Sequence, residues 1–243
     1  MKNNIVAFFD IDGTLYREGL ITEVFKKFIK YEIIEPEKWY NEVKPEYIKW
    51  DTRMGNYDNY LLKMADIYIE SIKGITKSQM EFIAKQVVNQ KGDRVYTYTR
   101  DKIAWHKSKG HLIITISGSP LELVKEMSIK YGFNDYIGTK YLTTENDYYT
   151  GKLIPMWDSE SKKNAINYFV NKYSIDLNQS YAYGDTSGDF SMLKSVKYPQ
   201  AINPTKELLN EILKDENLKN KIKIIVERKD VVYTLNPYNI KIY

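Results

Sequence analysis

The chain contains no cysteine. Disulfides, thiolate nucleophiles and zinc sites built on thiolates are therefore excluded, and a cytoplasmic location is the simplest reading. Histidine is nearly as scarce: His106 and His111 are the only two in 243 residues. They flank one apolar segment without other ligand types beside them, so both read as structural or exposed. Neither sign of charge dominates, with 36 Lys and Arg against 32 Asp and Glu and a net charge of only +4. Without a concentrated basic block, nucleic acid is not expected as a partner. No apolar run approaches the ~20 residues that span a bilayer. The opening "MKNNIVAFFD" is too short for a signal peptide and is cut off by Asp10.

What is present is an alternation. Residues 4–9, 111–117, 180–185, 198–203 and 222–228 are short apolar runs that read as buried strands. Helical patterns stand between them, with Leu121, Val124 and Met127 on one face, and Ala165, Ile166, Phe169, Val170 and Tyr173 on another. Strand and helix in this order predict an α/β fold: a Rossmann-like three-layer core with a mostly parallel sheet. Residues 139–154 read as a hairpin turning near Asn146 and Asp147, and Pro204 as the opening of a helix.

One region breaks the alternation. From 17 to 97 the patterns are helical only: Ile21, Val24, Phe25, Phe28 and Ile29 form one stripe, and Leu61, Met64, Ala65, Tyr68, Ile69 and Ile72 another. Both read as core. Ser78 and Glu81 have the spacing of a capping box. Residues 17–97 are thus expected to form an inserted helical cap domain, with 1–16 and 98–243 as the core domain. Trp39, Trp50 and the tyrosines between them are candidates for lining a substrate entrance.

The polar residues of interest fall where predicted buried strands end, the edge at which open parallel sheets bind ligands. Asp10 and Asp12 follow the first strand, Ser117 the second, and Asp185 and Asp189 the third; Lys162 begins the helix before that third strand. Clustered carboxylates are tolerable around a divalent cation, and oxygen ligands without His or Cys suit Mg²⁺, which commonly also binds a substrate phosphate. Asp10, Asp12 and Asp185 are candidates for such a metal site. One carboxylate can attack phosphorus, and its neighbour can protonate the leaving oxygen and then deprotonate a water.

These stretches carry a resemblance. "DIDGT" (10–14), "TISGSP" (115–120), the lysine of "SKKNAI" (161–166) and "GDTSGD" (184–189) resemble the four ordered motifs of the haloacid dehalogenase (HAD) superfamily. "YIGTKYLTTENDYYTG" and "AYGDTSGDFSMLKSVKYPQAINP" resemble its subfamily IB, the phosphoserine-phosphatase-like hydrolases. The resemblance implies a phosphatase with Asp10 as nucleophile and Mg²⁺ ligand, and Asp12 as general acid/base with its backbone carbonyl on the metal. It implies that Ser117 and the Gly118 amide hold phosphate oxygens, that Lys162 bridges phosphate and Asp10, and that Asp185 completes the metal shell. Asp189 would act from just outside that shell. Lys163 is the alternative lysine; Lys162 is preferred because Ile166 and Phe169 then follow at the family's core spacing.

The implied reaction is hydrolysis of a small phosphorylated metabolite through an aspartyl-phosphate. A phosphotransferase, a phosphatase of lipid headgroups or nucleic-acid ends, and a non-catalytic binding protein are the alternatives. The sequence departs from phosphoserine phosphatases in the insertion. Their ammonium-reading glutamate falls at Gly19, with Glu18 one residue short, and the stretch matching their carboxylate-reading arginine, "YLLKMA" (60–65), has none, though Arg53 lies upstream. This speaks against phosphoserine as the substrate.

Overall fold

A computed structural model describes residues 4–242. In chain order, β1 (Val6–Phe9) is followed by α1 (Leu20–Lys30), α2 (Pro36–Lys38), α3 (Lys44–Asp51), α4 (Tyr57–Ser71), α5 (Lys77–Lys91) and α6 (Thr97–Ser108). A π-helical turn, Trp39–Val43, joins α2 to α3. There follow β2 (Leu112–Pro120), α7 (Leu121–Tyr131), β3 (Asp135–Thr143), β4 (Tyr149–Ile154), α8 (Ser159–Tyr173) and β5 (Tyr181–Gly184). The chain ends with α9 (Phe190–Ser195), β6 (Tyr198–Ile202), α10 (Lys206–Lys214), α11 (Glu216–Lys219), β7 (Lys223–Arg228) and β8 (Val231–Leu235).

The strands form one eight-stranded sheet in the order β4-β3-β2-β1-β5-β6-β7-β8. Pairing is parallel throughout the middle, and only the two edge strands, β4 and β8, run antiparallel to their neighbours. β1 shows why the sheet needs cover on both faces. Its four residues are all fully buried, and because side chains alternate, Val6 and Phe8 enter one apolar cluster while Ala7 and Phe9 enter the other. Phe169 of α8, Leu193 of α9 and Ile212 of α10 fill the first cluster; Ile103 of α6 and Met127 of α7 fill the second. The result is a three-layer α/β/α arrangement.

Everything between β1 and β2 is helical among the described elements. The stretch leaves and rejoins the sheet through two adjacent extended segments, with Tyr96 N–H donating to Leu15 O at 2.9 Å and Arg17 N–H to Arg94 O at 3.0 Å. It is also tied at a distance: Lys77 N–H donates to Asp147 O at 2.9 Å, and Tyr149 N–H to Ile75 O at 3.0 Å, on the β3–β4 hairpin. Its buried side chains Val24, Phe28, Met64 and Tyr68 belong to the same cluster as Ala7 and Phe9 of the sheet.

Some local expectations shift. The capping box of α5 is Thr76 with Gln79, two residues before the expected Ser78 and Glu81. The earlier pair offers a side-chain cap and its reciprocal acceptor where the helix begins. Pro204 precedes α10, but Thr205 is its N-cap and accepts from Leu208 N–H. The 139–154 hairpin is part of the main sheet, because β3 begins at Asp135 in parallel register with β2. β8 has no counterpart in the sequence reading; its five residues are all exposed, so it lacks the buried apolar run that marks the other strands.

Candidate active site

Register brings the site together. Phe9 pairs with Thr115 on one side and with Tyr183 on the other. The register therefore places Asp10, residues 117–120 at the end of β2 and Asp185 side by side at the carboxyl edge of three adjacent strands. The level is fixed by packing: the Phe9 and Tyr183 rings stack at 4.2 Å, and Thr115 Oγ1 donates to Phe9 O at 2.8 Å.

Asp10, Asp185 and Asp189 are all buried, and each offers a carboxylate oxygen within 4.8 Å of the others'. Lys162, only 2% exposed, donates to Asp10 Oδ1 at 2.9 Å and to Asp189 Oδ1 at 2.5 Å. Its neighbour Lys163 is exposed. Helix phase explains the choice: Ala165, Ile166 and Phe169 face the sheet, and Lys162 lies one turn before them on the same side. The second oxygen of Asp189 accepts from the backbone N–H groups of Asp185 and Thr186, at 3.0 and 3.1 Å, and so shapes the loop that carries Asp185.

Asp12 is held apart from this cluster. One of its oxygens accepts from Leu20 N–H at 2.8 Å, and the other from the Ser119 hydroxyl. Gly19, the N-cap of α1, has no side chain to serve the helix, and Asp12, seven residues before it, supplies an acceptor for the Leu20 N–H. Thr14 Oγ1 donates to Asp185 Oδ1 at 2.8 Å. Gly13 adopts φ +78°, and a Cβ placed there would lie 2.0 Å from Asp185 Oδ2. Only glycine satisfies both the left-handed turn and that approach.

Electrostatically the cluster is short of positive charge. Burial pushes Asp10 up to about 7, against the pull of Lys162 and with a further push from Asp189 and Asp12. Burial raises Asp185 strongly, and the Asp10 and Asp189 charges add to it. Burial also raises Asp12, opposed by its bonds from Ser119 and Leu20. Burial works against the Lys162 ammonium, yet Asp10 and Asp189 outweigh it and its proton is held more tightly than usual. If all three carboxylates are to be ionised, one ammonium leaves about two negative charges, which a divalent cation would balance. An all-oxygen donor set of this kind fits Mg²⁺.

Above these residues lies a cavity of about 330 Å³. Asp10, Asp12, Lys162 and Asp185 line its floor, with Gly118 and Ser119 beside them. Ser117 is not among the lining residues; it is fully buried, and its Oγ accepts from Ser119 N–H at 3.2 Å. The roof comes from the helical insertion. Leu61 and Ala65, which the sequence pattern assigns to the core stripe of α4, also line the cavity, Leu61 while packing against the core cluster, and Tyr57 and Leu62 join them. Trp39 and Trp50 do not line it. They pack in an aromatic cluster with Phe25, Tyr47 and Tyr60 because large flat rings bury more area against one another than at a rim. The tryptophan at the cavity is Trp157, which the sequence did not single out. The two histidines lie elsewhere: His106 is wholly buried, bonded through its ring nitrogens to His111 and to the Tyr183 hydroxyl.

A cradle of acidic groups and one lysine at the carboxyl edge of a parallel sheet, under a helical roof, defines a hydrolase class. The chain belongs to the haloacid dehalogenase-like hydrolase family, whose sequence profile matches residues 7–194. It is 24% identical over 209 residues to the "Inhibition of morphological differentiation protein" of Streptomyces azureus, covering 85% of this chain and 74% of that one. It is 23% identical over 216 residues to a histidinol-phosphatase of Neisseria meningitidis serogroup C, covering 87% and 95%. The fold is shared with a phosphoserine phosphatase solved as an analogue of its phospho-aspartyl intermediate. That match has a TM-score of 0.58 and 19% identity, and covers 94% of this chain and 96% of that one.

Proposed function

We propose that this hydrolase is an Mg²⁺-dependent phosphomonoesterase that acts on a small phosphorylated metabolite through an aspartyl-phosphate on Asp10. The observation that carries the reading is the meeting of Asp10, Asp185 and Asp189 oxygens within 4.8 Å, with Lys162 bonded to Asp10, beneath a cavity of metabolite size. The name of one relative, a histidinol-phosphatase, points the same way.

Asp10 and Asp185, with the Asp12 backbone carbonyl, would hold the metal, and Asp189 would steady Lys162 and the Asp185 loop. Bound there, Mg²⁺ supplies the charge that keeps Asp10 ionised and offsets the phosphate oxygens. An oxygen of Asp10 attacks phosphorus as the bond to the leaving oxygen breaks. Asp12, whose burial favours its protonated form, gives that proton to the leaving alkoxide. A water then attacks the phosphorus of the acyl-phosphate, Asp12 takes its proton, and inorganic phosphate and the Asp10 carboxylate are regenerated. Lys162 and the Gly118 amide, with Ser117 beneath, stabilise the transferring group by position and charge. The insertion roofs the reaction and keeps bulk water out.

The test is turnover of an aryl phosphate by purified protein. EDTA should silence it and added Mg²⁺ restore it; Asp10→Asn should lower kcat by at least about 1000-fold with an unchanged circular dichroism spectrum. Chelator-insensitive turnover rules out the metal site, and an active Asp10→Asn rules out the nucleophile.

A further inference from the structure

The floor of the cavity is charged and its roof is not. Among the described lining residues, Asp10, Asp12, Lys162 and Asp185 are the only ones with ionic side chains, and all four belong to the phosphate end. The α4 surface facing them presents Tyr57, Leu61, Leu62 and Ala65. Burial raises the Tyr57 phenol far above its ordinary range, so it too stays neutral. A substrate alcohol carrying an ammonium or a carboxylate would give up part of its hydration here and meet no ionic partner among the described residues of the roof, a net cost.

Two charged residues of the insertion, Glu18 and Arg53, are placed elsewhere. Glu18, at the start of the insertion, is gripped by both terminal nitrogens of Arg94 at 3.1 and 2.6 Å, a fork geometry that satisfies the carboxylate. Arg53 is exposed, lies over the Trp50 ring at 5.9 Å, and is not among the cavity's lining residues.

Trp157 adds a positive feature. Its backbone is wedged between two loops of the site: a Cβ on Gly118 would lie 2.9 Å from Trp157 Cβ, and one on Gly188 would lie 2.2 Å from Trp157 O. The residue is thus held firmly at the cavity while remaining 43% exposed, and Leu62 across from the floor is 58% exposed. A large ring whose backbone is held at the cavity and which is left partly open to solvent is a ready contact surface for an apolar group.

We infer that the leaving group is an uncharged, apolar alcohol, alkyl or aryl, seated against α4 and Trp157, and that phosphorylated amino acids and amino alcohols are poor substrates. This rests on the phosphomonoesterase reading and adds the substrate class to it.

Two primary-alkyl phosphates with similar leaving oxygens, 2-phenylethyl phosphate and O-phosphoserine, separate the possibilities. With Mg²⁺ present, kcat/KM should favour the phenylethyl ester by at least about 100-fold. Leu62→Arg, at an exposed position that tolerates the change in folding, should reduce that preference at least about tenfold, and Trp157→Ala should raise KM for the phenylethyl ester. Calorimetric binding of both esters to Asp10→Asn reads recognition without chemistry. Equal or better use of phosphoserine overturns the inference and leaves the phosphatase reading standing. Selective binding of the phenylethyl ester without turnover overturns the phosphatase reading and, with it, the leaving-group assignment, and leaves the apolar selectivity of the cavity as a binding preference. Turnover of neither, with no difference in binding, overturns both.

Discussion

Gly13 shows how closely one atom is constrained here. A methyl group at this position meets the Asp185 carboxylate at 2.0 Å and must also sustain φ +78°. The left-handed turn alone costs a non-glycine residue roughly 1–2 kcal/mol. Gly13→Ala should therefore destabilise the protein by at least about 2 kcal/mol in urea unfolding and should also displace Asp185, weakening Mg²⁺ affinity. A variant with wild-type stability and wild-type metal affinity would show that the turn has room to spare. The same scale governs what could be read in advance. Asp10, Asp12 and Gly13 stand in one pentapeptide at the end of an apolar run, so local pattern exposes them. Ser119 looks like an ordinary turn serine, and only the approach of β2 to the 10–14 turn lets its hydroxyl reach Asp12. Trp157 carries no local signal at all, because its place at the cavity comes from Gly118 and Gly188, which are seventy residues apart.

At the level of elements, α6 is fastened to the sheet by polar contacts inside an apolar layer. His106 lies on its buried face with Thr99 and Ile103, bonded at 2.9 Å to His111 and at 2.8 Å to the Tyr183 hydroxyl of β5. Tyr183 in turn accepts from Gln200 of β6. Burial, with the nearby His111 and Lys102, pushes His106 down to about 3 from its ordinary 6.5. Above pH 6.5 the residue is neutral whether the chain is folded or not, so the depressed value costs nothing. Between 6.5 and about 3 the unfolded chain takes up a proton that the folded chain refuses, and stability falls as the pH falls, by about 1.4 kcal/mol per unit. His106→Gln keeps hydrogen-bonding groups but cannot titrate, so its unfolding free energy should fall less steeply from pH 6.5 to 4. Parallel slopes for the two proteins would remove His106 as the source. The sequence could place both histidines beside a buried strand but could not pair them, since their contact depends on how α6 turns back onto β2. Caps follow the same logic: Thr76 and Ser78 both offer capping chemistry, and the backbone path into α5 selects the first.

Across the whole molecule, the insertion and the sheet share one apolar cluster. It runs from Ala7 and Phe9 through Leu15 and Leu20 to Val24, Phe28, Met64 and Tyr68 without a polar break. α5 lies against α7, and residues 75–77 add backbone hydrogen bonds to the β3–β4 hairpin. Separating the insertion would expose this apolar surface at a cost of about 25 cal/mol per Å². Heat or urea should consequently unfold the protein in a single transition, with near-ultraviolet and far-ultraviolet circular dichroism coincident. Two resolved transitions would mean that the shared cluster does not couple the parts.

What the sequence settled by itself is that β1, β2, β5, β6 and β7 are buried strands and that acidic residues stand at the sheet's edge. Buried strands must be apolar on both faces, and a strand that ends in carboxylates announces itself within a few residues. Only the tertiary structure decided which lysine reaches Asp10, which serine touches Asp12, and that Leu61 and Ala65 face a cavity while Trp39 and Trp50 do not. An apolar stripe has the same appearance in sequence whether it meets a core or a ligand. The difference lies in what stands opposite, and that is set by contacts between residues far apart along the chain.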